Sequence, residues 1–163
     1  MAELTQLESK LGEILGLSRA AQEATDRIAK LVDDQEVKDA LQRMGSESAD
    51  QEERCVAVAG ELEGKKGVIE EQAKETKSEA QEMMKVYLDE DSDALDGFEF
   101  LVMAEAGELG HVEIAEVLNE RVGNERIREL IEWAGPVQER HFSDTRECAL
   151  KLAGQKDPNE LAG

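Results

Sequence analysis

Two glutamates, Glu105 and Glu108, stand one helical turn apart, and three positions further on lies His111, so that residues 108–111 read Glu-x-x-His. The chain's other histidine is His141. On a helix a spacing of three brings side chains to one face. Carboxylate with imidazole is the donor set that suits iron, manganese or zinc. Inward-pointing Glu and Glu-x-x-His groups are also how helical bundles hold a pair of iron or manganese ions. Glu105, Glu108, His111 and His141 are therefore the candidate metal ligands. The same residues have a metal-free reading. A chain with 39 acidic residues meets Glu-x-x-His readily by chance, Glu108 and His141 can form an ion pair, His111 can serve at the surface, and a polar layer can fix helix register. No catalytic residue can be assigned: there is no nucleophile–base constellation and no glycine-rich phosphate loop. A di-metal oxidase or peroxidase would need six ligands, and four are found, so the expectation is a protein that is not an enzyme.

These side chains meet only if helices aim them at a common interior. Apolar periodicity predicts five helical segments. The first covers about residues 4–32, with Leu7, Leu11, Ile14, Ser18, Ala21, Thr25, Ile28 and Val32 on one stripe; Gly12 and Gly16 weaken it without interrupting the stripe. Asp33 or Asp34 can cap the second segment, about 35–62, whose stripe is Val37, Leu41, Met44, Ser48, Gln51, Cys55, Val58 and Leu62. The third, about 66–88, carries Val68, Ile69, Ala73, Thr76, Ala80, Met83, Met84 and Tyr87 at helical spacing but has a weaker apolar face, which suits a covering or crossover helix. Ser92 or Asp93 can cap the fourth, about 94–122, with Ala94, Phe98, Leu101, Glu105, Glu108, Val112, Ala115 and Val122 inward. Gly123-Asn124 is a stop signal. The fifth covers about 125–152, with Ile127, Leu130, Ile131, Ala134, Val137, His141, Thr145, Cys148 and Leu152 inward. Pro136 lies inside it and is expected to kink or split the helix; Trp133 reads as a packing residue near one end.

Four long apolar stripes, two tight links and one long link describe an all-α chain folded as an antiparallel four-helix bundle of ferritin-like type, with an extra helix in the long crossover. One domain over residues 1–154 with a loose tail at 155–163 is expected. In each long helix the stripe turns polar at its middle: Ser18 and Thr25, Ser48 and Gln51, Glu105 and Glu108, His141 and Thr145. Antiparallel packing would bring these middles to one height. Buried charge is costly unless paired or bound to metal, which is why the layer invites a functional reading.

Composition bounds the rest. Hydrophobic residues make up 40% and aromatics 3%, so the core is built of aliphatic side chains, as helix-on-helix packing prefers. The formal net charge of −20 repels phosphate backbones and argues against nucleic-acid binding. There is no apolar stretch of transmembrane length and no signal-peptide pattern, so no membrane partner is expected and a cytoplasmic location is. Cys55 and Cys148 have no metal-site spacing and read as small core residues of a reducing compartment.

Several segments resemble the YciF-like bacterial stress-protein family of the ferritin-like superfamily. They are 35–42 (QEVKDALQ) at the turn into the second helix, 67–71 (GVIEE) at the crossover, and 93–119 in the fourth segment. There the family's Glu-His-x-Glu-Ile-Ala element appears as Gly110-His111-Val112-Glu113-Ile114-Ala115. The resemblance implies a ferritin-like four-helix fold, homodimerisation, and a dinuclear metal centre serving metal or oxidative-stress handling. It also implies lost ligands: Gly110 replaces a glutamate, Ser18 falls where the family has its first-helix glutamate, and Met44 falls where it has its second-helix histidine. Glu139 matches the family's acidic pair loosely, and Glu23 and Glu47 are reserve carboxylates. The centre is then a smaller or vestigial one. The alternative is an acidic helical interaction scaffold that carries no metal.

Overall fold

Four of the five helices of the computed structural model, which describes residues 2–162, begin where a side chain satisfies orphan N–H groups. Thr5 and Glu8 form a reciprocal capping box at the start of α1 (Gln6–Ala29). Asp34 accepts from the Val37 amide to start α2 (Gln35–Glu61). Asp93 and Asp96 make a second box at α4 (Ala94–Val122), and Asn124 caps α5 (Glu125–Gly154). Only α3 (Lys66–Tyr87) starts without a side-chain cap. Glycines at φ +72° stop the chain twice, at Gly64 and at Gly123, a conformation that costs other residues more. Among the described residues there are five helices, no strand, and no helix long and apolar enough to cross a membrane.

The helices form a ring with one outlier. α1 packs on α2 and α4, and α5 packs on α2 and α4; α1 does not meet α5, nor α2 meet α4. Two apolar clusters fix the directions. One joins the start of α1 (Leu7, Leu11), the end of α2 (Cys55, Val58), the second half of α4 (Val112, Ala115) and the start of α5 (Ile127, Leu130). The other joins the opposite ends, including Ile28, Val37, Leu41, Phe98 and Leu101. Every neighbour in the ring therefore runs antiparallel. α3 spans from the first end to the second outside the ring, which returns the chain from α2 to the start of α4.

α3 is seated on α1 rather than on the bundle as a whole. Gly12 faces Gln72, and a Cβ at Gly16 would stand 2.4 Å from the Ala73 carbonyl oxygen. Arg19 ties this seam from the side, donating to Glu52 on α2 and to Glu70 on α3, each at 2.8 Å. At the far end Arg27 donates to the Leu88 carbonyl.

Several expectations need correcting. Met83 and Tyr87 are half exposed, because α3 meets α4 only sparsely; the Tyr87 ring lies beside Phe100 of α4, centroids 6.1 Å apart, and is covered only in part. Val122 is also exposed, and buried Asn119 closes the last turn of α4 by bonding the backbone of Asn124 in both directions. Leu62 is only half-buried. Pro136 does not split α5, which is helical from Glu125 to Gly154; the Glu132 carbonyl it cannot serve belongs to an exposed residue and can bond water. Trp133 packs against the first cluster with the Arg54 guanidinium 4.3 Å from its ring centre. Cys55 is fully buried and its thiol is pushed up to about 12 by burial, whereas Cys148 is half-buried. Residues 155–162 are exposed turns, tethered by a Lys156–Asp93 ion pair.

Not every helical glycine is a packing device. Gly110 lies inside α4 with nothing within 4 Å of a built Cβ. Gly110→Ala is expected to raise stability by about 0.5–1 kcal/mol through lower backbone entropy in the unfolded chain, read as a higher urea midpoint at unchanged slope. A lower midpoint would mean that this face is covered.

Candidate metal centre

The inward line of α4 runs Leu101, Glu105, Glu108, Val112, so two carboxylates occupy core positions between two apolar turns. Glu105 is 1% exposed and Glu108 5%. Across from them α5 brings His141, also 1% exposed. Its Nδ1 lies 3.6 Å from Oε2 of Glu105, and its Nε2 lies 3.5 Å from Oε2 of Glu47 on α2. Neither ring nitrogen has a hydrogen-bond partner, and Oε2 of Glu105 has none. Both separations exceed the 2.7–3.2 Å range of an N–H···O bond. Burying such atoms unpaired is costly.

The other half of the layer is hydrogen-bonded. Gln51 on α2 donates from Nε2 to the Ser18 hydroxyl on α1 at 2.8 Å, and Ser18 donates to the Ile14 carbonyl. Gln138 on α5 donates to Oε1 of Gln51 at 3.1 Å and to Oε2 of Glu108 at 3.0 Å. Four helices are thus joined through one chain of polar side chains. Thr25 and Thr145 turn back to carbonyls of their own helices, Ala21 and Phe142 among them. The Ser48 hydroxyl is unpartnered.

Burial, and next the charge of neighbouring Glu105, push the Glu108 carboxyl well above the usual carboxylate range; the Gln138 amide pulls the other way. A carboxyl as deep as that of Glu108 favours holding a proton or a cation over standing as a bare charge.

The sequence candidates thus divide. Glu105, Glu108 and His141 lie in the buried layer. His111 lies one position short of the inward residue Val112, on the flank of α4. Its Nε2 is 3.1 Å from Glu13 on α1 and its Nδ1 2.8 Å from the Gly107 carbonyl, with a third of the side chain exposed. Of the reserve carboxylates, Glu47 reaches His141 and is also paired with Arg140. Glu23 faces Lys77 and Gln81 on α3 instead, and Glu139 is exposed. Among the described residues no group of three His, Cys, Asp or Glu side chains is placed to hold one metal ion. Glu47 and Glu105 approach opposite nitrogens of the same ring, so one ion could not engage both through it.

No protein-family model, curated protein or solved structure matches the chain.

Gln138 escaped the sequence reading. It lies next to the striped position Val137, and both are buried because the inward line drifts around a helix of 3.6 residues per turn. A signal was present: Gln138 and His141 form Gln-x-x-His, the amide counterpart of Glu-x-x-His.

Proposed function

We propose that this chain is a ferritin-like bundle that takes a divalent transition-metal ion into its polar layer and serves in metal or oxidative-stress handling, as a binding protein rather than an oxidase. The carrying observation is His141, buried with both nitrogens unpartnered and a carboxylate oxygen at 3.5–3.6 Å on each side. That spacing is long for a hydrogen bond but near the roughly 3.4 Å between neighbouring ligands on a tetrahedral ion with bonds of about 2.0–2.1 Å. Glu105 and His141, already 3.6 Å apart, would take the ion first, and Glu108 would have to turn from Gln138 to join them, with Glu47 on the far side of the ring. When bound, it supplies positive charge to the carboxylate pair. Gln138 orients Glu108 through its amide, and Arg140 holds Glu47. The antiparallel ring with a long α2–α4 connection supports the ferritin-like assignment.

A second reading rests on the Ser18–Gln51–Gln138–Glu108 chain, which joins four helices without any ion and would fix their register. Titration of chelator-stripped protein with Mn²⁺, Fe²⁺ and Zn²⁺ separates the two. Under the metal reading at least one of these ions binds saturably, and Glu105→Gln or His141→Ala weakens it by more than about a hundredfold, since loss even of groups that only support a ligand costs 10–100-fold. Wild type without saturable binding, or variants with unchanged affinity, would leave the metal-free layer standing.

A further inference from the structure

α3 rests on α1 along Gly12 and Gly16 but scarcely meets α4. The gap between them is a cavity of about 400 Å³, within the range of small-molecule pockets. Its walls are small or adaptable: Leu17, Ala80 and Ala104 with Met84, and at the mouth the exposed Met83 and Met103. Methionine adapts readily to ligands of varied shape. The charge around it has one sign. Glu79, Glu105 and Glu108 border the cavity, and no lysine or arginine does. His111, also on the border, is engaged by Glu13.

We propose that this cavity is a binding site for an apolar organic cation, a primary amine on a hydrocarbon body, with its ammonium group at Glu105 and Glu108 and its chain between α3 and α4. Three occupants can be compared on the same walls. An anionic amphiphile would bring like charge to buried carboxylates, which costs several kcal/mol. A neutral hydrocarbon would fill the walls but bring no counter-charge to the acidic border. A primary ammonium has three donors and opposite charge, and so satisfies the walls and the acidic border together. The site borrows two carboxylates from the polar layer but does not need a metal there.

The test is calorimetric titration of chelator-treated protein with octylamine, octanoate and 1-octanol, which share a chain length and differ in head group. Octylamine should bind saturably at one per chain, and octanoate at least about tenfold more weakly. Ala80→Phe, which fills the wall and leaves the net charge unchanged, should abolish the binding while helical circular dichroism is retained; Ala104→Phe is the second filling variant if the first fails to fold. Equal binding by octanoate would overturn the proposal. So would undiminished octylamine binding in the filled variants, since that is adsorption to an acidic surface. A dimer in sedimentation that takes up no amine would mean that a second copy covers the mouth, and would overturn it too. Because metal is chelated throughout, failure here is separate from failure of the metal titration.

Discussion

Alanine at position 16 is expected to destabilise the protein by about 2–3 kcal/mol and to loosen α3 from α1. In an exposed helix interior the same change would stabilise by up to about 1 kcal/mol. Here the added Cβ would meet the Ala73 carbonyl oxygen at 2.4 Å and the Thr76 Cβ at 2.8 Å. The first is backbone of a facing helix and cannot rotate aside. Either α3 shifts outward, giving up contacts of the fully buried Ile69 and Ala73, or α1 bends. Overpacking of this kind costs about 1–3 kcal/mol. Urea unfolding measures the loss. Amide exchange locates it, with faster exchange in α3 than in α2 or α5. A Gly16→Ala protein as stable as wild type would show that the α1–α3 seam has slack, and the cavity beside it would then be less defined.

Replacing Glu108 with glutamine is expected to stabilise the metal-free protein at pH 8 by about 1–3 kcal/mol, a gain seen where buried charge is replaced by neutral groups. Burial and the Glu105 charge hold the Glu108 proton well above the ordinary value of 4.5. In the unfolded chain that proton leaves near 4.5, whereas in the folded protein it stays on to higher pH. The unfolded state therefore binds fewer protons over this interval, and stability falls as pH rises through it. Below the unfolded value this contribution to stability is intact, so wild type and Glu108→Gln should converge near pH 4. Carboxylates held low by partners, such as Glu23 beside Lys77 and Asp93 beside Lys156, act in the opposite sense and mostly below that interval. They are common to both proteins, so the difference between wild type and variant isolates Glu108. Urea titrations at pH 4 and pH 8 in chelator give the two points. A variant that is weaker than wild type at pH 8, or a difference that ignores pH, would show that Glu108 is held as a charged and well-paired group. With Mn²⁺ or Zn²⁺ present the ranking should narrow or invert, since glutamine surrenders a ligand and with it the stabilisation that a bound ion brings to the folded state.

The helices were legible because periodicity and end signals agree along this chain. Asp34, Asp93 and Gly123 stand at the ends their chemistry favours, and the inward stripes of α1 and the first half of α2 are buried as the spacing predicts. The stripes failed where burial depends on a neighbour and not on the helix itself. Met83 and Tyr87 keep helical spacing, yet stay half exposed because α3 meets α4 only sparsely and the Phe100 ring beside Tyr87 covers it in part. Gly12 and Gly16 read as weak points of α1 when only its own backbone is considered. They became the seat of α3 once a second backbone lay against them.

The polar layer divides in the same way. That Glu105 and Glu108 share one stripe with the apolar residues of α4, and His141 one with those of α5, follows from a period of 3.6 residues, so the sequence alone determined it. Which of them meet, and on which atoms, depends on the rotation and height of helices far apart in the chain, and those are settled by packing. Tertiary structure alone set Glu47 against the second nitrogen of His141, tied Gln138 to both Gln51 and Glu108, and drew His111 away to Glu13. A helical period specifies direction around one axis. The distance between two side chains on different axes is a property of the pair, and no single stripe contains it.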